Sequence, residues 1–171
     1  TGTSRVLRQM KKVHSSSVVG NGQWRKKTCV SLDIPPPLRS LPFASIRVRF
    51  EGKDQGWGGT GCSYYSIESV RDKSVIGSRV AAMNHNWKTV DHTVSAAACL
   101  KKYGTSDNSG MLKDSAARIL ANTKGCDMLQ LVQVSAPWPG WTCQNRGVSE
   151  MEVVFDGGGI SATITLAHAI Y

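Results

Sequence analysis

Residues 43–52, FASIRVRFEG, decide the fold class, because apolar and charged side chains alternate along them. Ile46, Val48 and Phe50 alternate with Arg47 and Arg49, and this period of two is typical of a β-strand with one buried and one solvated face. The segment therefore predicts a half-buried strand whose outer face is cationic.

Similar runs fill the remainder of the chain, separated by Gly, Asn, Asp or Pro. They are CSYYSIESVRD, SRVAAMNH, WKTVDHTVSAAA, DMLQLVQVSA, GVSEMEVVF and GISATITLAHAIY. About seven or eight strands at this spacing, without alternating helices, are typical of two packed antiparallel sheets. The sequence therefore predicts an all-β protein, a two-sheet antiparallel β-sandwich of the jelly-roll kind.

One segment, SGMLKDSAARILANTKG at 109–125, departs from this pattern and predicts at most one short helix. Ser109 is a candidate N-cap and Gly125 a candidate stop. The alternative, which the residues leave open, is a loop followed by a strand through ARILAN.

The net charge of +9 is concentrated at the amino end, because the first acidic residue is Asp33. The charge of the remaining chain is only +2, from 14 basic and 12 acidic side chains. We therefore expect a basic arm at residues 1–27 that binds RNA or acidic protein surfaces. Its cations are Arg5, Arg8, Lys11, Lys12, Arg25, Lys26 and Lys27.

Residues 35–42, PPPLRSLP, are unsuited to a helix or a central strand, because each proline removes a backbone donor and fixes φ. This predicts an extended, Pro-rich lead-in at residues 28–42, followed by the sandwich domain at residues 43–171. The first residue is Thr1 rather than Met, so we expect further residues upstream.

The cysteines predict a reducing compartment. Their number is odd and none forms a C-x-x-C pair, so we expect reduced, mostly buried thiols, an intracellular location and no metal site. They are Cys29, Cys62, Cys99, Cys126 and Cys143. The acid-free, Ser-containing amino end is also typical of targeting segments, which makes a mitochondrion or plastid an alternative. No apolar run approaches the roughly 18 residues of a membrane span, so we expect a soluble or peripheral protein without a transmembrane segment.

Two glycine- and tryptophan-rich stretches are the candidate functional segments: EGKDQGWGGTG at 51–61 and APWPGWTCQNRG at 136–147. The first is not a phosphate-binding loop, because it lacks the G-x-x-x-x-G-K-[ST] spacing and a following helix. Two interpretations stay open: turns anchored by tryptophan, or a site in which indoles and polar groups hold a ligand. The candidate ligand-binding residues are Asp54, Gln55, Trp57, Trp141, Asn145 and Arg146.

These stretches also resemble a known module. DQGWG at 54–58 and PGW at 139–141 are similar to the motifs of an intracellular galactose-binding-like β-sandwich of plants, fungi and protists, which occurs beside F-box or ankyrin segments. The resemblance covers roughly residues 43–156. It implies a non-catalytic recognition or assembly module of the galactose-binding-like class.

Catalytic residues are not evident in the sequence. None of His14, His85, His92 and His168 lies in a recognisable catalytic or metal motif, and no serine lies in a G-x-S-x-G turn. Glu150 and Glu152 share one face of a predicted strand and are most simply solvated. We therefore expect neither enzymatic activity nor a cofactor.

Three functional hypotheses follow. The first is a non-catalytic docking module, an accessory subunit of a large assembly with other protein subunits as partners. The second is a lectin-like domain that binds a glycan or another polar ligand. The third is a jelly-roll coat protein whose basic arm binds RNA.

Overall fold

A computed structural model describes residues 5–41, 43–55, 62–71, 75–81, 85–95, 126–155 and 166–170. Within these ranges the chain forms nine strands and one 3₁₀ turn, with no α-helix. The strands are β1 (Arg5–Val19), β2 (Arg25–Asp33), β3 (Phe43–Asp54), β4 (Ser63–Ser69), β5 (Val75–Ala81), β6 (Lys88–Ser95), β7 (Met128–Ser135), β8 (Thr142–Phe155) and β9 (Leu166–Ile170). The helical candidate at 109–125 lies outside the described residues.

The strands form two sheets, in the orders β6-β3-β8-β1-β9 and β2-β7-β4-β5. All pairs are antiparallel except β1 with β9. The pairs β1·β8, β2·β7, β3·β6 and β4·β5 describe a long hairpin folded over into two sheets, which is the connectivity of an eight-stranded jelly roll. The predicted all-β, two-sheet sandwich is confirmed.

The core lies between the sheets and follows the alternation seen in the sequence. In β3, Ile46, Val48 and Phe50 are buried, while Arg47 and Arg49 lie on the outer face. Inward residues of the neighbouring strands complete the core: Leu7, Val30, Leu32, Ile67, Leu129, Leu131, Met151, Val153 and Phe155.

The predicted basic arm is wrong for residues 5–27. β1 lies between β8 and β9 in the five-stranded sheet, and its Leu7 and Val18 are buried. The sequence pattern does not reveal this strand, for two reasons. Its solvated positions carry cations and serines, and its pairing with β8 shifts register between Val13 and Ser16. Such a bulge interrupts the period of two that reveals a strand. The sandwich therefore already includes β1 and β2, well before residue 43.

The predicted extended lead-in at 28–42 is also wrong in part. Its first residues belong to β2, and Pro36–Leu38 form the 3₁₀ turn, in which Leu38 is buried. Proline is tolerated there because the first residues of a helical turn need no N–H donor. Arg39 Nε donates to the Ile34 carbonyl at 2.7 Å and ties the turn to the end of β2.

No helix among the described residues is long and apolar enough to cross a membrane. The described cysteines are free thiols, and Cys29, Cys126 and Cys143 are buried whereas Cys62 is half-buried. This confirms the prediction of mostly buried thiols for these four residues; Cys99 lies outside the described ranges.

Candidate functional site

The two glycine- and tryptophan-rich stretches meet at one end of the sandwich. Gln55, which follows β3, donates from Nε2 to the Gly140 carbonyl at 2.7 Å. Its Oε1 accepts from the Thr142 backbone N–H at 3.1 Å. The β7–β8 turn reverses at Gly140, whose φ is +79°. Gln55 therefore holds this turn against the end of β3.

The β1–β2 turn closes the same end. Gly20 donates from its backbone N–H to Trp141 O at 2.7 Å, and Gly22 donates to Pro137 O at 2.7 Å. Gly140 N–H donates back to Gly20 O at 3.2 Å. Residues 20–24, Gln55 and residues 136–142 thus form one hydrogen-bonded surface, which we call the tryptophan end.

The tryptophan end carries two exposed indoles. Trp24 is 49% exposed and Trp138 is 51% exposed. A neighbouring ring supports each one: Tyr64 lies 6.1 Å from Trp24, and Trp141 lies edge-to-face 5.4 Å from Trp138. Tryptophan carries a large apolar area and is usually mostly buried, so two half-exposed indoles mark a candidate contact surface.

Not all of the predicted ligand-binding residues face this surface. Asp54 is 4% exposed and Asn145 is 1% exposed. Asn145 Nδ2 donates to Glu51 O and to Ser149 Oγ, both at 3.1 Å. The Asn145 amide is thus turned into the sandwich and does not face the tryptophan end. Trp57 lies outside the described residues.

Arg146 lies on the outer face of the five-stranded sheet. Its Nη2 is 2.6 Å from Glu51 Oε1, and its guanidinium lies 4.3 Å from the centroid of the Trp87 ring. Hydrogen bonding from Arg146 holds the pKa of the Glu51 carboxyl below its ordinary value. Arg146 is thus engaged with Glu51 and Trp87 rather than with the exposed indoles.

The predicted cationic outer face of β3 is largely neutralised. Arg47 Nη2 lies 2.6 Å from Asp91 Oδ2, and Arg49 Nε lies 3.6 Å from the same oxygen. Arg8 of β1 pairs with Glu152 and, at 3.0 Å, with Glu150. Paired strands bring these opposite charges side by side, which the local sequence of one strand does not reveal.

The cations at the start of β2 differ in their partners. Lys26 Nζ lies 2.8 Å from Glu68 Oε1. Arg25 and Lys27 are exposed and form no ion pair with the described residues. The other predicted anion-binding cations lie on β1, where Lys11 and Lys12 are exposed and Arg5 is half-buried.

An open groove of about 600 Å³ runs beside the tryptophan end. Residues 17–21, residues 25–27 and Gly140 line it, so its side-chain charges are Arg25, Lys26 and Lys27. Local sequence reasoning missed both the groove and Trp24. The available signal was GNGQW at 20–24, a Gly/Asn turn pattern between two strands that also carries an aromatic residue.

No group of three metal-ligating side chains forms within the ranges that the structure describes. His92 lies on β6, where burial lowers the pKa of its imidazole. His14 on β1 and His85 before β6 are exposed. The structure describes His168 only as part of the β9 backbone.

Comparisons with known proteins give structural likeness only. No protein-family model matches the chain, and no curated protein sequence matches it. A structure of infectious bursal disease virus Gx strain aligns over 92% of this chain, with 12% identity and a TM-score of 0.44. Dimeric latent PorU from Porphyromonas gingivalis aligns over 91%, with 9% identity and a TM-score of 0.41. The chain spans 33% and 13% of the length of these two chains.

Proposed function

We propose that this chain is a non-catalytic recognition module that docks onto a partner in a larger assembly through the tryptophan end. The observation that carries the proposal is the pair of half-exposed indoles, Trp24 and Trp138. Tryptophan is enriched among the few residues that supply most of the binding energy at interfaces.

The support beneath the indoles strengthens this proposal. The two turns that carry them are joined by backbone hydrogen bonds, and Gln55 fixes the β7–β8 turn to β3. A surface that is already ordered loses less conformational entropy when a partner binds. Rigid aromatic anchors on hydrogen-bonded turns are therefore suited to recognition.

The test is native purification of the full chain from its source cells, with sizing and mass spectrometry of what co-elutes. We expect wild type to migrate in a larger complex, and Trp24→Ala/Trp138→Ala to migrate alone. Val148→Ala is the control, since Val148 is 47% exposed and lies on β8, away from the turns. Circular dichroism establishes that each variant is folded.

Two results would contradict the proposal. One is a double tryptophan variant, folded, that keeps the same partners as wild type. The other is a wild-type protein that migrates as a lone monomer.

A jelly-roll coat protein is the second candidate, because the strand connectivity is that of the eight-stranded jelly roll. Coat proteins, lectins and cupins share this architecture, so the argument rests on analogy of fold. RNA would then meet strand residues, since 5–27 do not form a free arm. Electron microscopy of the concentrated protein tests this candidate through the presence or absence of closed particles.

A lectin-like, galactose-binding-like function has less support. Asn145 is buried, and the Gln55 amide is hydrogen-bonded to the β7–β8 turn. A sugar site needs such amides free beside an exposed ring. We also propose an intracellular, reducing compartment, which agrees with the four free thiols.

A further inference from the structure

The groove beside the tryptophan end carries a net positive charge. Residues 17–21, residues 25–27 and Gly140 line it, and no carboxylate is among these described lining residues. Arg25 and Lys27 form no ion pair within the part of the chain that the structure describes. The groove therefore offers positive charge to a ligand.

The register of β2 with β7 shows which way these cations point. Lys27 is opposite Gln133 in this register, and opposed residues of paired strands share one face of the sheet. Gln133 Nε2 donates to Ser16 Oγ of β1 at 3.3 Å, so this face is directed towards β1. Arg25 lies on the same face as Lys27, because alternate residues of a strand point the same way. Both side chains are therefore on the β1 side of β2.

The middle cation contributes little free charge. Lys26 points to the opposite face of β2 by the same alternation, and its Nζ lies 2.8 Å from Glu68 Oε1. The unpaired charges of the groove are thus Arg25 and Lys27, whose Cα atoms are about 6.6 Å apart at the usual rise of a strand. Two cations at this spacing repel each other, and an anion bound between them relieves that repulsion.

A third cation approaches the same region from β1. Burial raises the pKa of the Cys29 thiol to about 12, and the positive charges of Lys11 and Lys27 act in the opposite direction. Two lysines of different sheets therefore both lie near this thiol, at the opening between β1 and β2. Lys11 is exposed and forms no ion pair with the described residues. Its charge adds to that of the groove.

Phosphate groups match this lining better than neutral groups do. Arginine and lysine only donate hydrogen bonds, and the guanidinium fork of arginine fits two phosphate oxygens at once. Ser17 and Asn21 are exposed in the lining, and their hydroxyl and amide are further donors. The volume of about 600 Å³ is within the roughly 300–1,000 Å³ of small-molecule sites.

We propose that this groove binds a ligand with two or more phosphate groups, which Arg25 and Lys27 contact and to which Lys11 adds long-range attraction. The inference goes beyond the proposed function, because the site uses the cations of β2 and not the exposed indoles. A free polyphosphate and a phosphorylated lipid headgroup share this chemistry, so the experiment has one arm for each source.

The first arm is isothermal titration calorimetry of the full chain with inorganic tripolyphosphate at low salt. We expect wild type to bind with a Kd below about 1 mM. Arg25→Gln/Lys27→Gln should weaken binding by about tenfold or more, because it removes the charge-assisted hydrogen bonds. Lys11→Gln should weaken binding by about two- to threefold, since its charge acts at a distance and is screened. Circular dichroism establishes that each variant is folded.

The control with the same change in net charge is Lys12→Gln/Lys88→Gln, because both lysines are exposed and lie outside the groove. It should bind within about twofold of wild type. An equal loss in the control and in Arg25→Gln/Lys27→Gln would overturn the groove assignment, because binding would then follow net charge alone. Citrate should bind at least about fivefold more weakly than tripolyphosphate, since a phosphate offers more charge and more acceptor oxygens than a carboxylate. Equal affinity for citrate would overturn the assignment to phosphate.

The second arm is co-sedimentation with phosphatidylcholine vesicles that contain phosphatidylinositol bisphosphate. Capture of wild type, but not of Arg25→Gln/Lys27→Gln, would assign the phosphate groups to a lipid headgroup. Binding of tripolyphosphate without capture would assign them to a free molecule. Failure of wild type to bind either probe would overturn the inference.

The indoles separate this inference from the proposed function. Trp24→Ala/Trp138→Ala should bind tripolyphosphate within about twofold of wild type, because neither indole lines the groove. Loss of phosphate binding in this folded variant would overturn the assignment to the cations of β2. If wild type binds neither probe, a tryptophan-dependent complex in native purification still supports the docking proposal.

Discussion

Gln55 Nε2 donates a hydrogen bond of 2.7 Å to the carbonyl oxygen of Gly140, and this contact joins residues that are 85 positions apart. The same side chain accepts from Thr142 N–H at 3.1 Å. An amide can make both bonds because it carries a donor and an acceptor on one planar group. The turn that carries Trp138 is thus oriented by a residue of the other glycine-rich stretch.

Replacement of Gln55 by alanine removes both bonds. Each is worth about 0.5–1.5 kcal/mol, so Gln55→Ala should lower the free energy of unfolding by about 1–3 kcal/mol in urea denaturation. Gln23→Ala is the control, because Gln23 is exposed in the β1–β2 turn. If the two variants are equally stable, Gln55 does not fix the turn.

Gly20 is required where the β1–β2 and β7–β8 turns touch. A Cβ at this position would overlap the Ala136 carbonyl and would lie 2.6 Å from Trp138 O. These are backbone atoms, which cannot move aside without breaking the junction. Gly20→Ala should therefore destabilise the protein by about 3 kcal/mol, the upper end of the cost of overpacking.

Gly22 provides a matched comparison in the same turn. Its φ is +73° and no atom lies within 4 Å of the position that a Cβ would take, so only backbone strain opposes a side chain. Gly22→Ala should cost about 1 kcal/mol. Thermal unfolding of both variants distinguishes the two causes: a larger loss in Gly22→Ala would show that contact at Gly20 is unimportant.

A second close approach lies between the sheets, where Gly52 of β3 faces Tyr65 of β4. A Cβ at Gly52 would overlap the Tyr65 hydroxyl, which donates to Gln144 O. Gly52→Ala should cost about 1–3 kcal/mol by overpacking. Tyr65→Phe removes the hydroxyl and part of the overlap, so the double variant should lose less than the sum of the single losses. Strict additivity in the double-mutant cycle would contradict this contact.

A strand of the sandwich could be predicted from the sequence where apolar and polar residues alternate along it without interruption. In β3 the alternation of Ile46, Val48 and Phe50 is uninterrupted, and each is buried as expected. β1 lacks such a run: Leu7 and Val18 are its buried apolar residues, and a register shift separates them. The place of β1 in the sheet depends on its pairing with β8, more than a hundred residues later in the chain. The local sequence of β1 does not reveal that pairing.

The candidate site shows the same limit. Local patterns identified the two glycine- and tryptophan-rich stretches, and the structure brings them together through Gln55 and Gly140. They did not reveal that Asn145 points inward, since its neighbours are polar on both sides. Trp24 was missed because it was assigned to an arm, although the turn around it borders the groove.

The buried thiols should be unreactive in the folded protein. Burial raises the pKa of Cys29 and Cys143 to about 12, so roughly one thiol in ten thousand is ionised at pH 8. Half-buried Cys62 should therefore react with iodoacetamide before either of them, as measured by peptide mass spectrometry over time. Denatured protein, in which all sites are exposed, is the control. Labelling of Cys29 or Cys143 as fast as Cys62 would show that the sandwich opens there.

Ion pairs on the outer face should make the free energy of unfolding depend on pH. Hydrogen bonding from Arg146 lowers the pKa of Glu51 below the ordinary 4.5, and hydrogen bonding from Arg47 lowers that of Asp91 below 3.8. A carboxyl whose pKa is lower in the folded state stabilises that state fully above its unfolded pKa. The contribution is lost as the pH falls through the folded pKa.

Urea unfolding of wild type and of Glu51→Gln/Asp91→Asn at about pH 7 and pH 2 measures this contribution. Wild type should be the more stable at pH 7, and the difference should shrink towards pH 2. Both pairs are solvent-exposed, so high salt at pH 7 should shrink the difference as well. A difference that stays constant with pH would mean that the substitutions act through packing, and that the Arg146–Glu51 and Arg47–Asp91 pairs contribute no electrostatic stability.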